Sequence, residues 1–191
     1  MDLETDAFLT RLRGIYAIVN EGPADPIALT RAILHGGARI VQYRAKSGIV
    51  AEHAHALRRA TREAGALFIL NDRWDAVERF DADGAHLGPD DAAPEQLGAI
   101  RGALRGRVLG ISCGTAAEAL IAHACGADYI GVGSVFATAS KNDAGAPIGT
   151  EGLSRVAAAA ALPVCAIGGI TAENIAQVRA CGVAMAAVIS A

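Results

Sequence analysis

The sequence predicts an α/β protein folded as one closed (β/α)8 barrel of the TIM type, and three observations carry that prediction. Short β-type runs alternate with longer Ala-rich helical segments along the whole chain, the pattern of parallel strands joined by crossover helices. Eight such runs can be counted, enough to close a barrel around a packed interior. Small-residue turns recur between helix and strand, at Gly36-Gly37-Ala38, Ala82-Asp83-Gly84 and Gly126-Ala127-Asp128. Each is expected to hold a glycine in the left-handed conformation where the chain turns back into the sheet at the barrel bottom.

The strands are expected at 14–19, 39–44, 67–71, 84–87, 108–112, 129–133, 164–167 and 184–189. Helices are expected at 26–35, 50–64, 73–80, 94–101, 116–124, 150–160 and 171–180, several opening on Pro, Asp or Thr and ending in Gly. Seven helices for eight strands leaves the barrel without its last helix, so apolar surface is expected at the seam of the first and last strands, where a second copy could pack. Residues 3–12 carry Leu3, Phe8 and Leu12 at helical spacing and are expected to cap the barrel bottom. A chain of 191 residues that is 52% hydrophobic suits a single domain over residues 1–191, since two cores would each be small.

With 17 basic and 20 acidic residues the net charge is −3, which argues against broad attraction to nucleic acid or anionic lipid. Any anion must be held by a local pocket. Cys113, Cys125, Cys165 and Cys181 are far apart and form no CxxC pair, so they read as buried thiols rather than a metal or disulfide framework. The N-terminus is acidic and no apolar run has the length of a membrane span, so a cytoplasmic location is expected.

In such a barrel, polar residues at strand C-termini face the active site. Alternation after the second strand points Gln42, Arg44 and Lys46 to one side, an amide and two cations suited to a diphosphate; the alternative is a solvated basic loop. The third strand runs into Asn71-Asp72 and the fourth into His86-Leu87-Gly88-Pro89-Asp90-Asp91. Asp72 and Asp91 on neighbouring loops suit Mg²⁺, while the plainer account makes Asp72 and Asp90 or Asp91 helix caps. His86, in an apolar strand, reads as a hydrogen-bonded core residue and stays outside the catalytic set. Ser112 ends the fifth strand as a hydroxyl for a ligand ring, or else a local backbone cap. Thr138, Ser140 and Lys141 form a hydroxyl–hydroxyl–lysine anion grip in a long loop of lid type after the sixth strand. Gly168-Gly169 after the seventh strand and Ile189-Ser190 after the eighth stand where barrels commonly bind phosphate.

Taken in order, QxRxK at Gln42–Lys46, ND at Asn71–Asp72, HLGxxD at His86–Asp91, Ser112, Tx[TS]K at Thr138–Lys141 and IGGI at Ile167–Ile170 resemble the thiamine phosphate synthase family. The resemblance implies a Mg²⁺-dependent transferase joining hydroxymethylpyrimidine diphosphate to hydroxyethylthiazole phosphate, giving thiamine phosphate and pyrophosphate by a dissociative route. It implies Arg44, Lys46, Asn71 and Lys141 at the diphosphate, Asp72 and Asp91 at the metal, and Gln42 and Ser112 at the pyrimidine. Thr138, Ser140, Gly169, Ile189 and Ser190 would hold the thiazole and its phosphate, and Lys141, Arg44 and Ser112 form the implied catalytic set.

Four positions depart from the family pattern: Pro89 replaces a usual Gln, Ser140 a commoner Thr, Asn142 a Lys or Pro, and Gly114 a His or Tyr. Relatives of the thiazole tautomerase type resemble enzymes that use a histidine at the Gly114 position, so its absence, with Asp72 present, argues against tautomerisation. A non-catalytic barrel that binds a thiamine precursor is a third reading, disfavoured by Asp72, Asp91 and Lys141. Because the sequence stops at Ala191, the half-site for thiazole phosphate is expected to be the looser one, lacking the N–H groups of a following helix.

Overall fold

The structure, a computed structural model, describes Phe8, residues 10–138 and residues 145–189. Eight parallel strands close a barrel in sequence order: β1 Gly14–Asn20, β2 Ile40–Arg44, β3 Leu67–Asn71, β4 Gly84–Leu87, β5 Val108–Cys113, β6 Tyr129–Val132, β7 Val164–Ile167 and β8 Met185–Val188. Closure runs through β1 and β8, with Gly14 opposite Met185 and Ala17 opposite Val188. Around them lie α1 Pro26–His35, α2 Ala51–Glu63, α3 Pro94–Ala103, α4 Ala116–Ala124, α5 Gly149–Ala159 and α6 Ile175–Ala180. Local sequence sets several starts. Asp25 accepts from the Ile27 and Ala28 amides (2.8 and 3.2 Å) ahead of Pro26, and Thr115 accepts from the Glu118 amide.

Strand alternation divides the core in two. Val41, Tyr43, Phe68 and Leu70 point outward into the layer between sheet and helices, while Ile40, Leu67, Ile69 and Met185 fill the barrel itself. Leu12 is buried against the interior set with Phe8 packed beside it, and Arg11 donates to the Gly65 carbonyl at 3.0 Å, so this part of the N-terminal segment closes the barrel bottom.

Three expectations are corrected. The helix expected at 73–80 is a single 3-10 turn, Trp74–Ala76, followed by turns, because the short β3–β4 connection bends through left-handed residues at both ends, Asp72 (φ 63°) and Asp81 (φ 50°). Gly37 and Gly126 are left-handed as expected (φ 92° and 82°), but at Ala82–Gly84 the left-handed residue is Asp81. Gly84 is needed for space instead, since a Cβ there would collide with the Val108 carbonyl. Among the described residues the strands of the seam, β1 and β8, do not present an apolar face either. Ala17 and Ala186 on its outer side are buried, and the large exposed apolar residues among those described, Leu29, Val50, Leu120 and Ile121, lie on helices or at a helix start rather than on β1 or β8. Alanines offer little surface to cover. Of the cysteines, Cys113 and Cys165 are buried, whereas Cys125 and Cys181 are half-buried; all are free.

Candidate active site

A cavity of about 430 Å³ opens at the C-terminal ends of the strands, a volume in the range of small-molecule sites. Gln42, Arg44, Lys46, Asn71, Asp72, Asp91, Ser112, Thr138, Gly169 and Ile189 all line it. Ser140, Lys141 and Ser190 lie outside the described residues.

Alternation on β2 explains the first group: Gln42 and Arg44 share the inward face with Ile40, and Gln42 is almost fully buried. Arg44 donates to the Asn20 amide oxygen at 3.1 Å, which steadies the guanidinium without neutralising it. Lys46 pairs with Asp72 at 3.0 Å across the β2 and β3 loops. Asp72 therefore does not cap a helix. Its left-handed backbone turns the chain off β3 and sends the carboxylate into the cavity mouth. Asp91 does not cap α3 either, whose first amide at Ala93 donates to Gln96; instead it accepts from the Gly88 amide at 2.6 Å. Burial, then the Asp72 carboxylate beside it, pushes the Asp91 carboxyl above the usual range. Two like charges held together in this way make a place where a cation is favoured.

Among the described residues no cluster of three or more His, Cys, Asp or Glu side chains surrounds a single point. A pair of carboxylates at the cavity mouth fits Mg²⁺, which keeps water and phosphate oxygens as its remaining ligands.

Below the mouth, the interior carries a continuous hydrogen-bond chain. Gln42 Nε2 donates to Tyr16 Oη (2.8 Å), which meets Tyr129 Oη (2.8 Å); Tyr129 meets His86 Nδ1 (3.0 Å), and His86 Nε2 meets Ser112 Oγ (3.0 Å). Burial holds both phenols well above the usual tyrosine range, so they remain neutral. Ser112 is thus no backbone cap, and His86 is hydrogen-bonded as expected but also lines the cavity. Tyr16, Tyr129 and the cavity side of His86 were not legible in advance. Each sits in an apolar strand run, and only the closed barrel brings β1, β4, β5 and β6 to a common centre. Cys113, next to Ser112, is pushed up to about 12 by burial and then by Glu118, so it is no thiolate nucleophile.

At the far side, Gly168 and Gly169 are left-handed (φ 104° and 62°), and side chains there would strike Ser134 and Phe136 of the β6 loop. The Val135 and Phe136 amides donate to the Ile167 and Gly168 carbonyls at 2.9 and 3.0 Å. The glycine pair is therefore required first for docking one loop on the other. Any phosphate role comes in addition to that packing.

The family model described as thiamine monophosphate synthase matches residues 15–191. The thiamine-phosphate synthase of Moorella thermoacetica is 44% identical over 89% of this chain and 81% of its own. That of Chloroflexus aurantiacus is 42% identical over 98% of this chain and 82% of its own. The thiamine phosphate pyrophosphorylase structure from Pyrococcus furiosus superposes with a TM-score of 0.85 at 37% identity, covering 96% of this chain and 88% of that one.

Proposed function

The chain belongs to the thiamine monophosphate synthase family, and we propose that it joins hydroxymethylpyrimidine diphosphate to hydroxyethylthiazole phosphate with Mg²⁺ as cofactor. In this reaction the bond from the methylene carbon to the diphosphate oxygen breaks and its electron pair leaves with pyrophosphate. The thiazole nitrogen then donates its lone pair to the methylene carbon, giving thiamine phosphate. A dissociative step of this kind asks for leaving-group stabilisation and positioning rather than a strong base.

The observation that carries the reading is one rim on which the Asp72–Asp91 pair stands beside Arg44 and Lys46, directly above a hydrogen-bonding barrel interior. Asp72 and Asp91 would hold Mg²⁺, which when bound supplies charge to a departing diphosphate. Arg44, Lys46, Asn71 and Lys141 bind that diphosphate, and Gln42 and Ser112 orient the pyrimidine. Thr138, Ser140, Gly169, Ile189 and Ser190 form the thiazole phosphate half-site. The same family membership disfavours both the tautomerase reading and the precursor-binding one.

Incubating purified protein with both precursors and Mg²⁺, then measuring thiamine phosphate and pyrophosphate, tests this directly; saturable binding without product would refute it. Lys141→Ala is expected to lower turnover far more than it weakens thiazole phosphate binding, and unchanged turnover in a folded variant would remove Lys141 from the catalytic set. No helix among the described residues is long and apolar enough to cross a membrane.

A further inference from the structure

The interior chain has a direction, and the direction has a chemical consequence at Ser112. A phenol has a single hydrogen to donate, and a neutral imidazole has one donor and one acceptor nitrogen. Tyr16 is buried and receives a hydrogen from Gln42 Nε2, so its own hydrogen must go to Tyr129 if it is to be paired. Tyr129, already accepting, gives its hydrogen to His86 Nδ1. His86 then carries its proton on Nε2 and donates it to Ser112 Oγ. The Ser112 hydrogen is left to turn toward the cavity.

The barrel makes room for this chain at specific cost. On β5, a Cβ at Gly110 would collide with the Tyr129 ring and come within 2.5 Å of His86 Nδ1. On β6, a Cβ at Gly131 would lie 2.9 Å from His86 Cε1. Two strands give up side chains at interior positions, and the space is taken by Tyr129 and His86. A purely apolar filling would have needed neither the glycines nor the paired polar groups.

We propose that Tyr16, Tyr129 and His86 are positioning residues that fix His86 as the neutral Nε2–H tautomer and make Ser112 a hydrogen-bond donor into the cavity. A donor hydroxyl with a lone pair still open matches a ring edge where an acceptor nitrogen adjoins an amino group, the edge of an aminopyrimidine. The tautomer stands on the structure alone, whereas the ring-edge match rests on the function proposed above.

Two measurements test it. Nitrogen-15 spectra of histidine-labelled protein, with His86 assigned by the signals lost in His86→Gln, should show a bare Nδ1 and a protonated Nε2 at neutral pH. In Tyr129→Phe the bare Nδ1 signal should shift as its donor is lost. A protonated Nδ1 in the unaltered protein, or a doubly protonated ring, would overturn the proposal. The second compares binding of an aminopyrimidine with an aminopyridine in which the adjacent ring nitrogen is replaced by C–H. The unaltered protein should lose roughly tenfold in affinity for the aminopyridine, as expected for one hydrogen bond, and Ser112→Ala should show no such difference. Equal discrimination by both would refute the Ser112 donor. If the protein makes no thiamine phosphate at all, the functional reading falls while the histidine spectrum still decides the tautomer.

Discussion

The two ends of the barrel balance charge to different degrees. At the bottom, opposite charges meet: Arg58 donates to Asp83 at 2.9 Å, Arg62 and Arg107 both reach Asp81, and Arg101 reaches Asp128 at 2.8 Å. Asp83 and Asp128 also accept strand amides, from Phe68 and Leu109. At the mouth, Asp72 stands by a second carboxylate, Asp91, as well as by Lys46, and Arg44 is steadied by an amide rather than an acid. Compensated charge ties loops to strands and stabilises the fold. Charge that is only partly compensated is unfavourable until a ligand of the other sign arrives, which is the condition expected at the catalytic face of such a barrel.

The contrast can be broken from either side. Asp91→Asn at the mouth is expected to lower turnover on the order of 10²-fold while leaving thermal stability unchanged or higher, because it removes a repelled, half-buried charge and keeps an acceptor for Gly88. A parallel loss of stability and activity would show that the pair is structural. Asp83→Ala at the bottom should do the reverse. Its carboxylate is nearly buried and holds both Arg58 and the Phe68 amide, so denaturant unfolding should reveal a loss of about 3 kcal/mol, with the kcat of the folded protein retained.

The smallest effect belongs to Asp81, whose side chain is 48% exposed. Burial pushes its carboxyl up, but Arg58 and Arg107 outweigh that and hold it below the usual range. A depressed folded value means stabilisation that is present above the unfolded carboxylate pKa and lost as pH falls through the folded one. Screening limits it to less than about 1 kcal/mol. Asp81→Asn should therefore differ slightly from the unaltered protein near neutrality, and the difference should vanish on acidification and in high salt. A difference that persists in acid would assign it to the left-handed backbone at Asp81 instead.

Much of the site was legible as a series of strand ends. Gln42 and Arg44 follow from alternation on β2, and Asp72 and Asp91 from two polar loops after apolar strands, because period-two burial is a local property. The helix expected at 73–80 was misread because a favourable local pattern says nothing about the distance the connection must span between β3 and β4. His86 was placed correctly as a hydrogen-bonded strand residue, yet its partners, Tyr129 and Ser112, are 43 and 26 residues away in sequence. No window of neighbours contains that information.

By itself the sequence determined the order of the strands and of most helices, the inward face of β2 and the family to which the motifs point. These depend on residue spacing and on turn and capping chemistry, which act over a few positions. Only the tertiary structure decided that Asp72 and Asp91 repel across two loops, that Gly168 and Gly169 serve loop packing, and that a chain of hydrogen bonds crosses the interior from Gln42 to Ser112. Closing the barrel is what converts strand order into distance, and charge repulsion, steric exclusion and hydrogen bonding all depend on distance.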